Sequence, residues 1–134
     1  MGGMRTILVA LAVSVASQAA ALPHAAHERA RVFADCAGWL LALEEHQRLF
    51  DGAASERTAA RRSAFLDLLG AVLPDAEAQG LPEGAALSWR VTARAEQGAL
   101  LTRAAFASEP LARAPADVAA RSRIAFCIGL LPTG

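Results

Sequence analysis

Lysine and tyrosine are absent from this 134-residue chain, which holds only two tryptophans, five phenylalanines and two cysteines. With no lysine, every basic side chain is an arginine; together with the abundance of alanine this fits the coding bias of a GC-rich bacterial genome. No sign of charge prevails, since thirteen basic residues face thirteen acidic ones. Nucleic-acid binding needs a basic stripe or patch. The two arginine pairs, Arg61 with Arg62 and Arg121 with Arg123, alternate with apolar residues at helical spacing and read as solvated helix faces. β-Branched and aromatic residues are sparse, and no alternating run lies between turn dipeptides, which argues against a sheet.

Several chemistries lack their residues as well. Covalent haem attachment needs C-x-x-C-H, and neither Cys36 nor Cys127 stands in it. A di-iron bundle needs paired Glu-x-x-His elements, whereas Glu44 and Glu45 directly precede His46 and no second element exists. Ser63, Ser88 and Ser108 lack the flanking glycines of a nucleophile elbow, and there is no glycine-rich phosphate loop. His24 and His27 form at most two ligands where a closed metal site wants four, so they read as tail. No cofactor, metal or catalytic residue is expected.

The front of the chain is informative. Met1 to Arg5 carries one positive charge, the run from Ile7 to Ala16 is apolar apart from Ser14, and Ala19 and Ala21 supply an A-x-A pattern. This reads as a cleavable signal peptide over residues 1–21, cut after Ala21 or alternatively after Ala19. A permanent anchor would need about 20 apolar residues, and this run is about half that. The expected locale is periplasmic or secreted, with no membrane span left after cleavage and a flexible mature start over 22–27.

One domain is expected over residues 28–131, followed by a tail at 132–134. Apolar periodicity predicts four helices. The first runs from about Glu28 to Phe50, with Phe33, Cys36, Leu40, Leu43 and Phe50 on a buried stripe widened by Trp39. The second opens at Ser55 as N-cap and runs to about Leu73, where Pro74 marks a stop or a kinked restart to Gln79. The third opens at Pro82 and Glu83 and runs to about Ala107, its face built from Leu87, Val91, Leu101, Ala105 and Phe106. The fourth follows a proline-containing linker over 109–115 and carries Val118, Ile124, Cys127, Ile128 and Leu131. Short loops between such helices predict an all-α fold, a small antiparallel four-helix bundle.

In that topology Cys36 and Cys127 fall at the same end of neighbouring helices, and an oxidising compartment permits a disulfide between the first and last. Trp39, His46 and Trp89 are the candidates for a ligand pocket between helices, the tryptophans reading first as core. Function is expected to be non-enzymatic: an envelope-accessory or protein-binding module whose partner is another envelope protein. The alternative is a small-ligand or metal carrier with its pocket at those three residues, and an unrecognised enzyme stands last. Inward, adjacent Trp89 and His46 would favour a pocket; separated and outward, a binding surface.

Overall fold

A computed structural model describes residues 22–133, so the expected signal peptide at 1–21 lies outside the described residues. Those residues are all-helical, with α1 Ala26–Arg48, α2 Gly52–Ala78, α3 Ala85–Phe106 and α4 Pro110–Leu130. No helix among them is long and apolar enough to cross a membrane.

Facing residues set the helix directions. Thr58 and Arg62 of α2 bond Gln47 and Glu44 of α1, so numbering rises on one helix as it falls on the other. The same inversion relates α1 to α4 through Cys36 with Cys127 and Trp39 with Arg123, and α3 to α4 through Gln97 with Ala120 and Glu96 with Arg123. Between α1 and α3 the numbers climb together, from Arg31 with Trp89 to Glu45 with Arg94. The chain therefore runs up, down, up and down.

The helices do not share the core equally. α1 packs against all three others; α2 rests on α1, while α4 leans mainly on α3 and touches α1. Burial follows that plan. α1 buries residues around much of its circumference, among them Ala30, Phe33, Ala34, Cys36, Ala37, Gly38, Leu40 and Ala42. α2 contributes Phe65 and Leu69, and the Phe33 and Phe65 rings meet at 6.2 Å between centroids. Much of the core is alanine, which lets helices approach closely but removes little apolar area per residue from water. The tightest approach is at Gly38: a Cβ there would stand 2.4 Å from the Arg90 carbonyl oxygen and 2.8 Å from Ala93 Cβ.

Helix ends depart from the sequence reading in instructive ways. α2 is capped by Asp51, whose carboxylate accepts from the Ala54 amide at 3.0 Å, so Ser55 lies inside the first turn and its hydroxyl donates to the Gly52 carbonyl. The helix then passes through Pro74 without stopping. Pro74 and Gly70, whose carbonyl loses its donor, are both exposed, so water can serve that oxygen. α3 opens three residues later than expected because Gly84 takes a left-handed φ of 80°. α4 opens earlier, at Pro110 in the first helical position, where no amide donor is needed; the expected long linker is only 107–109. At the other end of the chain α1 begins at Ala26, and the Arg29 guanidinium donates to the carbonyls of Pro23 and His24.

Candidate functional site

Two regions of the molecule carry features that packing alone does not use. The first is an end surface. α1 and α3 run the same way, so their C-termini finish side by side, and the short link to α4 brings its N-terminus to the same place. The four most exposed large apolar side chains of the described residues all gather at this end: Leu111 (89 %), Leu49 (71 %), Phe50 (68 %) and Phe106 (67 %). His46, Leu49, Leu101 and Phe106 line one shallow cleft between α1 and α3. The imidazole of His46 lies 5.2 Å from the Phe50 ring, centroid to centroid. Gly98 and Ala42 also line the cleft. Charge at the cleft is restrained: Glu45, on its wall, is held by Arg94 through two hydrogen bonds of 2.8 and 3.0 Å.

The second region is the seam where α4 lies along α1 and α3. Cys36 and Cys127 stand there at disulfide distance, 2.05 Å between sulfurs and 5.7 Å between Cα atoms, and no free cysteine is left among the described residues. One turn along from Cys36, the Trp39 ring is covered by the Arg123 guanidinium at 5.1 Å from its centroid. Burial raises the Asp35 carboxyl above its ordinary range, against the opposing hydrogen bond and charge of Arg31. Among the described residues the buried side-chain polar atoms that lack a hydrogen-bond partner, Trp39 Nε1, Gln97 Oε1 and Arg123 Nη1, all belong to this seam. Further along it opens a cavity of about 490 Å³ whose lining includes Leu43, Gln97, Leu101 and Ile124.

The buried polar group between α1 and α2 is, by contrast, fully engaged. Glu44 is inaccessible to solvent and its two oxygens take Arg48 and Arg62, while Gln47 accepts from the Thr58 hydroxyl at 2.6 Å. This network fixes the register of α2 on α1 and occupies both oxygens of Glu44.

The three pocket candidates do not meet. Trp39 and Trp89 are half-buried against the core, each with an arginine over its ring, Arg123 and Arg31 respectively. His46 lies in the end cleft, whose nearest α3 wall begins at Gly98, about 13 Å along the helix from Trp89. Among the described residues no three His, Cys, Asp or Glu side chains converge as metal ligands. His24 and His27 are exposed near the start of α1.

Other residues depart from their expected places. Phe50, Leu87, Val91, Phe106 and Val118 read as buried stripe, yet all are exposed. α3 instead turns Ala86, Ala93 and Gln97 inward; the close approach at Gly38 admits only a small side chain at Ala93, while Gln97 faces Ala120 of α4. The available signal was a second helical spacing of small residues, Ala86 and Ala93, one helix face away from the large ones. Comparison of the chain with protein-family models, with curated proteins and with solved structures finds no match.

Proposed function

We propose that the chain is an exported helical module that binds an apolar segment of another envelope protein through the surface formed by Leu49, Phe50, Phe106 and Leu111. The observation that carries this reading is the collection of the four most exposed large apolar side chains at one end of the molecule. Soluble monomers scatter such residues singly, and a concentration of them marks a binding surface. The separation of His46 from Trp89 supports the same choice, since a pocket shared by the two would need them together.

Export is supported by the n-region, apolar run and A-x-A pattern of residues 1–21. The Cys36–Cys127 pair is compatible with an oxidising compartment. The reading gives the chain no catalytic role; its chemistry is surface complementarity.

The test is site-specific photo-crosslinking in the cell envelope. A photoreactive phenylalanine at position 106 is expected to give a discrete adduct, and the Phe50→Asp change is expected to remove it while far-ultraviolet circular dichroism stays unchanged. The same probe at Ser63, exposed on α2, serves as the control. Equal adduct yields at positions 63 and 106 would end the proposal, and an adduct of twice the chain mass would make the partner a second copy. Amino-terminal sequencing of the purified protein is expected to begin near Leu22.

A further inference from the structure

The geometry points to a small-molecule site, beside the end cleft and sharing Leu101 with it, in the cavity between α1, α3 and α4, and assigns it an aliphatic alcohol as the class of ligand. Its walls at Leu43, Leu101, Ile124 and Ile128 are apolar, and its volume of about 490 Å³ falls within the range of pockets that hold small ligands. What distinguishes it from a packing gap is Gln97. This side chain is 0 % exposed, and its Nε2 donates to the Ala120 carbonyl at 3.1 Å, while its Oε1 has no partner. Turning the amide over would set oxygen against oxygen at Ala120, so the orientation is fixed and the orphan atom is an acceptor. A buried acceptor left unpaired is costly. A ligand that donates one hydrogen bond removes that cost.

The second polar residue on the wall narrows the chemistry. Gln47 spends its Oε1 on the Thr58 hydroxyl, so its remaining capacity is N–H donors. The site therefore offers an acceptor at Gln97 and donors at Gln47. A hydroxyl carries both a donor and an acceptor, and an aliphatic chain suits the leucine and isoleucine walls. A carboxylate would bring lone pairs against Gln97 Oε1. At the rim Asp117 and Arg121 neutralise each other at 2.9 Å, so neither charge is left to select an ion.

Titration of the full mature chain with 1-octanol, its methyl ether and octanoate tests this. The ether keeps chain and acceptor but cannot donate, so octanol is expected to bind about tenfold more tightly, the ratio that one hydrogen bond supplies. In Gln97→Leu that ratio is expected to fall to about one, and Ala125→Trp, on the exposed edge of the cavity, is expected to block both ligands. Octanol and ether binding equally to the unmutated chain overturns the assignment, as does the absence of octanol binding or its survival in Ala125→Trp. Should Gln97→Leu fail to fold, the octanol-to-ether ratio and Ala125→Trp still decide. Tighter binding of octanoate than of octanol also overturns it.

Discussion

At the scale of single residues, two glycines with opposite surroundings separate packing from propensity. Gly38 faces the α3 backbone so closely that a Cβ would collide with the Arg90 carbonyl oxygen and press on Arg94 N at 3.0 Å. Neither is the end of a flexible side chain, so the helices would have to part. Gly38→Ala is expected to lower stability by about 1–3 kcal/mol even though alanine is the better helix former. Gly70 lies inside α2 with nothing within 4 Å of the place a Cβ would take, so Gly70→Ala is expected to raise stability by roughly 0.5–1 kcal/mol. Urea unfolding of both variants checks the pair, and only opposite signs agree with the geometry.

Asp35 gives a residue-scale prediction in pH. Burial beside Glu96 favours its neutral form, and Arg31 and Arg123 only partly oppose this, so its folded-state pKa is raised above the ordinary 3.8. A raised carboxyl binds its proton more tightly in the folded than in the unfolded chain. The stability this contributes is fully present below 3.8 and is lost as pH rises through the folded value. Asp35→Asn does not titrate. The melting temperature of the unmutated chain, measured relative to that variant, is therefore expected to fall as pH rises across the acid range; a difference that rises with pH would contradict the burial.

At the scale of elements, α2 is held from one side only. It rests on α1, whereas α3 has both α1 and α4 beside it. Its hold on the core depends on Phe65, Leu69 and the Glu44, Arg48 and Arg62 network. Hydrogen exchange is expected to show the α1 amides as the slowest of the molecule and α2 as a unit that opens at lower free energy. Within α2 the turns around Pro74, which have already lost one hydrogen bond, are expected to exchange first. Protection in α2 equal to that in α1 would mean that the one-sided contact understates its docking.

Much at this scale was legible in the sequence, and the failures have physical causes. Four helical runs, their short loops and the pairing of Cys36 with Cys127 follow from periodicity and topology. The central place of α1 does not, because a search for large apolar residues on one face passes over Ala30, Ala34, Ala37 and Ala42, which bury that helix on several sides. The same preference for large side chains put Phe50 and Phe106 in the core, when they are the most telling part of the end surface. Gln97 carried no local signal: a glutamine on a helix reads as surface, and only the contact with Ala120 across the seam makes it the wall of a cavity.

For the molecule as a whole, the alanine-rich core sets the importance of the cross-link. Alanine leaves little apolar area to remove from water, so the core holds few of the large buried side chains that each contribute about 1.5–3 kcal/mol. α4 is the element most exposed to this weakness, since it leans on α3 and has only a narrow contact with α1. Cys36 and Cys127, 91 residues apart in sequence and at disulfide distance, are placed so that a bond between them would tie that helix to the centre of the fold. In the chain-entropy model closing such a loop destabilises the unfolded chain by about 4–5 kcal/mol, an upper figure because residual structure subtracts from it. The Cys36→Ser, Cys127→Ser double variant is accordingly expected to lose a large share of total stability. The loss should also be uneven, with hydrogen exchange rising most in α4 and at the seam around Gln97, and least where α2 meets α1. A uniform rise would mean that the molecule unfolds only as one unit, whereas protection of α4 unchanged by the substitutions would show that α3 alone holds it in place.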